Sequence, residues 1–298
     1  MEAIVWMSVH AAEAKTRRLA HAHYENFPVG SLLVPKQARQ DLHNLYAFMR
    51  TADDIADEPG RSPNERLELL GQFREELERL FKPGQESRPR DFIFTALAQT
   101  IRRRSLSIDP LARLLEAFSF DVHDTPKFFS EDDLYWYTAR SAEPVGELML
   151  VLFDYRDPER IAHSNAICTA LQLINFAQDA SVDLARGRCY FPLVDFPAVR
   201  REDPVRALLD DAALGRSMVE KQVERAQLLL AKGLPLLDVV TGRLRLELRA
   251  IVHDAIRMIQ KIEREQYDTI RRRPSLSAAE HFASLAAAVI RDPKLPER

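Results

Sequence analysis

Tyr46, Arg50, Asp53 and Asp57 are spaced by four, three and four residues in the run Tyr46-Ala-Phe-Met-Arg50-Thr-Ala-Asp53-Asp54-Ile-Ala-Asp57-Glu58. On a helix that spacing puts all four on one stripe, with Asp54 beside it. Acids stacked one turn apart repel by roughly a few tenths of a kcal/mol per pair, so the stripe calls for a compensating cation. A second run has the same grammar: Gln172, Asn175, Asp179 and Asp183 are spaced by three, four and four. Leu171, Leu173, Ile174, Phe176, Ala177 and Val182 surround them. Two such helices facing each other would present oxygen ligands to a shared cavity. Carboxylates combined with water and phosphate suit Mg²⁺, which seldom uses an all-protein cage. A lone DDxxD on a helix reads as a solvated face. Two matched stripes bedded in apolar residues read as a site.

Helices have to carry these stripes, and the composition favours helix. Among 298 residues there are 9 Gly and 17 Pro, the Pro falling largely in connections, and Ala, Leu, Arg and Glu abound. Periodicity predicts helices over 15–24, from Pro35 to Pro59-Gly60, and from a Ser62-Pro63-Asn64-Glu65 start. Others follow over 92–103 and 107–120. One runs from Glu131 through Leu152 and is kinked at Pro144-Gly146. The second stripe lies on a predicted helix over 159–183 that stops at Gly187. Beyond it come a short helix after Asp203-Pro204 and long helices over 214–230 and 245–272. The last of these would place Arg271, Arg272 and Arg273 at a helix C-terminus. A short helix over 280–290 ends the chain. No strand alternation, repeat or long linker appears, so the expectation is one all-α domain over 1–298.

The net charge of −3 gives no nucleic-acid footprint. Cys168 and Cys189 form no metal spacing or disulfide framework, which points to a reducing compartment. The N-terminal charges follow the apolar run instead of preceding it, unlike a secretory signal. No stretch reaches the roughly 20 apolar residues needed to span a bilayer. The expectation is a cytoplasmic protein. For a lipid product, peripheral contact with the inner membrane face is the further expectation. Monomer and dimer stay equally open.

The two runs resemble the two aspartate-rich signatures of the squalene/phytoene synthase family, the second followed by Arg186-Gly-Arg188-Cys-Tyr190-Phe-Pro. The resemblance covers about residues 23–267. Within the family the chain is most similar to the hydroxysqualene-forming branch of bacterial hopanoid biosynthesis. That likeness rests on His23-Tyr-Glu-Asn-Phe27-Pro-Val, Arg140-Ser-Ala-Glu-Pro144-Val-Gly146, Asn175-Phe-Ala-Gln-Asp179 and Leu244-Arg-Leu-Glu-Leu-Arg-Ala-Ile. Two positions depart from many relatives: Gln178 stands where they carry Arg, and Val182 where they carry Glu.

The resemblance implies a single-domain helical bundle of the isoprenoid (trans-prenyl) synthase type with a central cavity. It implies a prenyl diphosphate substrate and Mg²⁺ held by Asp53, Asp54, Asp57, Asn175, Asp179 and Asp183. Arg50 and Arg188 would clamp the diphosphate, with His23, Tyr190 and Gln172 as polar partners. Phe27, Tyr46, Phe48, Tyr137 and Phe176 would line the pocket that shelters a carbocation, and Tyr267 matches a late family tyrosine that would meet the substrate. The implied reaction ionises presqualene diphosphate and adds water to give hydroxysqualene. No nicotinamide is expected, since no GxGxxG follows a strand. The alternatives are a head-to-head synthase making presqualene diphosphate, prephytoene diphosphate or squalene, and a non-catalytic helical assembly protein. The latter would be expected to lose acids that are all present here. A di-iron bundle would need Glu-x-x-His on facing helices, and neither stripe holds a His.

Overall fold

The computed structural model describes residues 7–22, 34–82, 91–122, 128, 130–195 and 203–295. All of their regular structure is helical. We number the α-helices α1 Val9–Ala22, α2 Arg39–Asp57, α3 Pro63–Phe81, α4 Phe92–Arg104, α5 Asp109–Val122, α6 Glu131–Ser141, α7 Glu143–Leu152, α8 Pro158–Gln178, α9 Ala180–Ala185, α10 Pro204–Asp210, α11 Ala212–Gly233, α12 Leu236–Val239, α13 Gly242–Arg264 and α14 Ala278–Ile290. The chain forms two compact units. The first comprises Met1–His123 and Glu147–Arg156, and the second Asp124–Gly146 and Asp157–Arg298.

In the first unit, α2 is the organising helix. Leu45, Phe48 and Ala52 form its apolar side, and Phe48 stacks on Phe73 at 5.1 Å while Phe73 meets Phe94 at 4.5 Å. Beside them lies a buried polar lattice. Asn44 Oδ1 accepts from Thr16 Oγ1 (2.7 Å) and Gln40 Nε2 (2.9 Å), and its Nδ2 donates to the Ala96 carbonyl (3.1 Å). Asp41, with no exposed side chain, accepts from Thr100 Oγ1 (2.9 Å), Arg103 Nη2 (2.8 Å) and Arg104 Nε (2.8 Å). These bonds tie α1 and α4 to α2 and fix its rotation. Helical geometry then turns Tyr46, Arg50, Asp53 and Asp57 toward the side roughly opposite the core residues. At α3 the expected start is a full capping box: Ser62 Oγ accepts from the Glu65 N–H, and Glu65 accepts from the Ser62 N–H (2.7 Å).

In the second unit α8 packs along α11 and α6, and α13 along α14. The α8–α11 crossing is close because Gly233 has no side chain. A Cβ there would lie 2.4 Å from Ile167 Cγ1 and 2.9 Å from the His163 carbonyl oxygen. That oxygen belongs to a helix and cannot rotate away. Gly233→Ala should therefore destabilise the protein by about 1–3 kcal/mol, as overpacking does, read as a lower midpoint in urea unfolding. Glu247 on α13 is buried, and burial pushes its carboxyl up to about 7. A carboxyl raised on folding favours the native state below its unfolded value near 4.5, and that contribution is lost as pH climbs through about 7. The loss approaches about 3 kcal/mol. Glu247→Gln lacks it, so the variant should gain on the wild type between pH 5 and pH 8 in urea titrations. A difference that does not change with pH would leave Glu247 an ordinary carboxyl.

Three predicted spans change. The helix from Glu131 does not kink at Pro144: it ends at Ser141, with Ala142 as its C-cap, and Pro144 sits in the first turn of a new helix, α7, where its missing N–H is not needed. The second-stripe helix breaks at Asp179, whose backbone leaves helical geometry (φ −91°, ψ 8°). The helix predicted to reach Arg272 ends at Arg264 instead. The N–H of Tyr267 bonds back to the Ile262 carbonyl (2.9 Å) and that of Gln266 to Glu263 (2.9 Å), with both residues at positive φ. This is a helix-stopping turn made without glycine. The three arginines thus lie in the segment after the turn.

Candidate active site

The first stripe is built by α2. Arg50 lies between its acids, with Nη1 3.3 Å from Asp53 Oδ2 and Nη2 2.5 Å from Asp54 Oδ1. The cation demanded by the stacked carboxylates is thus supplied within the helix. Arg50 Nε is buried and has no hydrogen-bond partner among the described residues. Asp54 and Asp57 are exposed and Asp53 half-buried. Tyr46 stands one turn before Arg50. Burial, with Asp54 and Asp53 adding to it against Arg50, raises its hydroxyl above the ordinary range, so it remains a proton donor at neutral pH.

The second stripe is built by α8 and α9 and by the segment that follows α13. Asp179 sits at the junction of the two helices. Its N–H donates to the Asn175 carbonyl (2.8 Å), and its carbonyl accepts from Val182 and Asp183 (both 2.9 Å). Its carboxylate is gripped by Arg273, whose Nε bonds Oδ1 and whose Nη2 lies 3.3 Å from Oδ2. Two further bonds fasten the same segment: the Ser181 N–H to the Thr269 carbonyl (3.1 Å), and Gln178 Nε2 to the Pro274 carbonyl (2.9 Å). Gln178, the departure noted in the sequence, is thus a tie to that segment. Asp183 lies one turn beyond Asp179. Burial, then the Asp179 charge, push its carboxyl up to about 6 against Arg188, Arg186 and Arg273. The Arg188 N–H donates to the Asp183 carbonyl (2.8 Å).

Under this stripe is an aromatic cluster. Tyr190 stacks on Phe176 at 4.2 Å and 5°, and Tyr137 lies 6.2 Å from Phe176 and 6.1 Å from Tyr190. Tyr137, Phe176 and Tyr190 are all buried. Tyr190, expected as a polar partner of the diphosphate, has its ring in this stack. Tyr267 occupies the turn two residues before Thr269, at φ 60°. Gln172 is half-buried and Asn175 exposed on α8. His23 and Phe27 lie outside the described residues.

The structure thus groups Tyr46, Arg50, Asp53, Asp54 and Asp57 in the first unit. It groups Tyr137, Gln172, Asn175, Asp179, Asp183, Arg188, Tyr190 and Tyr267 in the second. Arg273 is the addition. It lies 94 residues from Asp179 in the chain, and the only trace in the sequence was an arginine run that reads more simply as a helix end. Among the described residues no three His, Cys, Asp or Glu side chains converge into a metal-holding group. The donors on each stripe are nonetheless hard oxygens, the kind Mg²⁺ takes in small numbers beside phosphate and water.

This is an all-α protein with two carboxylate stripes, each matched by an arginine, and its fold is that of the squalene-synthase-type enzymes. The chain belongs to the squalene/phytoene synthase family, whose profile matches residues 20–280. Members of this family are head-to-head prenyl synthases that act on prenyl diphosphates. The hydroxysqualene synthase of Zymomonas mobilis is 35% identical over 172 residues, 56% of this chain and 54% of that protein. The presqualene diphosphate synthase of Rhodopseudomonas palustris is 28% identical over 222 residues, 74% of this chain and 77% of that protein. The crystal structure of squalene synthase HpnC from Alicyclobacillus acidocaldarius superposes with a TM-score of 0.78 at 35% identity, covering 87% of this chain and 96% of that one. The match spans 44% of the length of a bifunctional lycopene cyclase/phytoene synthase of Blakeslea trispora and 61% of a phytoene synthase of Rhodobacter capsulatus.

Proposed function

We propose that this protein is a Mg²⁺-dependent lyase that ionises presqualene diphosphate and adds water to give hydroxysqualene and diphosphate. Asp53, Asp54, Asp57, Asn175, Asp179 and Asp183 would hold Mg²⁺, which supplies stabilisation of the leaving diphosphate's charge. Arg50 and Arg188 would be the diphosphate's basic partners in this reading. The C–O bond breaks, the cyclopropylcarbinyl cation rearranges, and water forms the new C–O bond and loses a proton. Tyr137 and Phe176 offer π faces that suit a cation while keeping water out early.

One observation supports the choice of branch. Glu143, from the Ser-Ala-Glu-Pro-Val-Gly segment, accepts from Thr169 Oγ1 on α8 (3.0 Å). Three residues on, Gly146 lies so near Ser164 and Cys168 that a Cβ would fall 2.5 and 2.6 Å from their side chains. The segment distinctive of the hydroxysqualene-forming branch is therefore seated on the helix that carries the second stripe. The test is incubation with presqualene diphosphate and Mg²⁺, without reductant and then with EDTA. Hydroxysqualene should form in the first and cease in the second. Squalene formed only with NADPH would overturn the reading. The likeness to a presqualene diphosphate synthase supports a second reading, condensation of two farnesyl diphosphates. It would win if farnesyl diphosphate alone gave presqualene diphosphate and presqualene diphosphate gave no product.

A further inference from the structure

Helix α14 spends its polar groups inward and at its ends. Glu280 bonds back to the Ser277 N–H (2.7 Å) and lies 3.6 Å from Lys261 Nζ on α13. His281 Nδ1 is 2.9 Å from Asp254 Oδ2, Ser284 and Ala288 are buried, and Asp292 accepts from Arg249 Nε (2.5 Å). The opposite side is apolar throughout. Phe282, Leu285, Ala286, Val289 and Ile290 recur at helical spacing and all are exposed, Phe282 at 71%, Val289 at 66% and Ile290 at 81%. A lone exposed leucine needs no explanation; a charge-free stripe of large side chains does.

The setting of this stripe selects the occupant. A 13-residue helix face is about 20 Å long and offers a few hundred Å² at most, against about 800 Å² per partner in a stable dimer. The stripe's margins are basic. Exposed Arg272 and Arg271, the latter 3.8 Å from Asp268, precede the helix and exposed Arg291 and Lys294 follow it, while Glu280 and Asp292 face Lys261 and Arg249. In a chain of net charge −3 this is a local concentration of positive charge. An apolar helix face rimmed by Lys and Arg is the pattern that lies in a bilayer interface and favours anionic lipid.

We propose that α14 seats the protein on an anionic phospholipid surface, its apolar stripe in the acyl boundary and Arg291 and Lys294 at the headgroup phosphates. The segment bonded to Gln178, Asp179 and Ser181 runs directly into α14 through the buried Pro274. The seat thus places the second carboxylate stripe one short connection from a source of long-chain substrate. That last consequence rests on the function proposed above; the binding itself does not.

The test is flotation of the full-length protein, without substrate, with vesicles of equal parts phosphatidylcholine and phosphatidylglycerol, and with pure phosphatidylcholine. The protein should float with the mixed vesicles, less so in high salt, and hardly with the neutral ones. The double variant Phe282→Glu/Val289→Glu, changed only at exposed positions, should bind at least about tenfold more weakly. Arg291→Ala/Lys294→Ala should lose most of the salt dependence. A wild-type protein that ignores the mixed vesicles would overturn the proposal, as would variants that bind them like wild type. So would a concentration-dependent dimer abolished by Phe282→Glu without any vesicle binding, which would make a second copy the occupant.

Discussion

Asp179→Asn is expected to lower turnover of a prenyl diphosphate at least about 100-fold, as removal of a central electrostatic group does, with the fold kept. Both halves follow from the position of the residue. The backbone of Asp179 joins α8 to α9 through its N–H and carbonyl, and asparagine keeps those bonds. What is lost is charge. The pair with Arg273 is 33% exposed on the acid side and 51% on the arginine side, so its loss should cost under about 1 kcal/mol. Activity and stability should therefore separate, which steady-state kinetics with Mg²⁺ and a thermal melt on the same preparation will show. Near-normal turnover would take Asp179 out of the proposed metal-holding set.

Asp41→Ala is expected to cost about 3–5 kcal/mol of stability, the range for breaking a buried pair on one side. The carboxylate is fully enclosed and holds two guanidiniums, of which Arg104 is only 15% exposed. Alanine would leave that charge only the exposed Asp154 at 3.5 Å and the Gln37 carbonyl at 3.3 Å, and strip an acceptor from Thr100. The exposed pair of Arg79 with Glu76 is the control, since breaking it should cost under about 1 kcal/mol. Urea unfolding of both variants measures the contrast. A loss at Asp41 no larger than the control would mean that Arg103 and Arg104 swing into water. The lattice also sets the rotation of α2, so a partly folded Asp41→Ala protein should lose the alignment of Arg50, Asp53 and Asp57 as well.

The helices and both stripes were legible because their signals are local. Tyr46 to Asp57 repeats within three turns, and the Ser62–Glu65 box lies within one. The parts that were not legible depend on contacts made far along the chain. The Arg273–Asp179 pair spans 94 residues and leaves no periodic trace. The break at Asp179 has no Gly or Pro to announce it, and the same segment from beyond α13 is fastened on both sides of it. The stop at Arg264 was hidden because the turn uses Gln266 and Tyr267, residues that ordinarily extend a helix. Pro144 was visible but ambiguous, since the same residue can bend a helix or open one.

That glycine-free turn after α13 has a consequence of its own. A left-handed residue with a side chain is disfavoured by roughly 1–2 kcal/mol, and Gln266 and Tyr267 are two in succession (φ 53° and 60°). The protein has left stability unclaimed at the joint that delivers Thr269, Arg273 and Pro274 to the second stripe. Glycine at 266 would make a tougher molecule and a slacker joint, since it frees the backbone that now allows few alternatives. Robustness and exact placement of Arg273 pull in opposite directions at this one peptide unit.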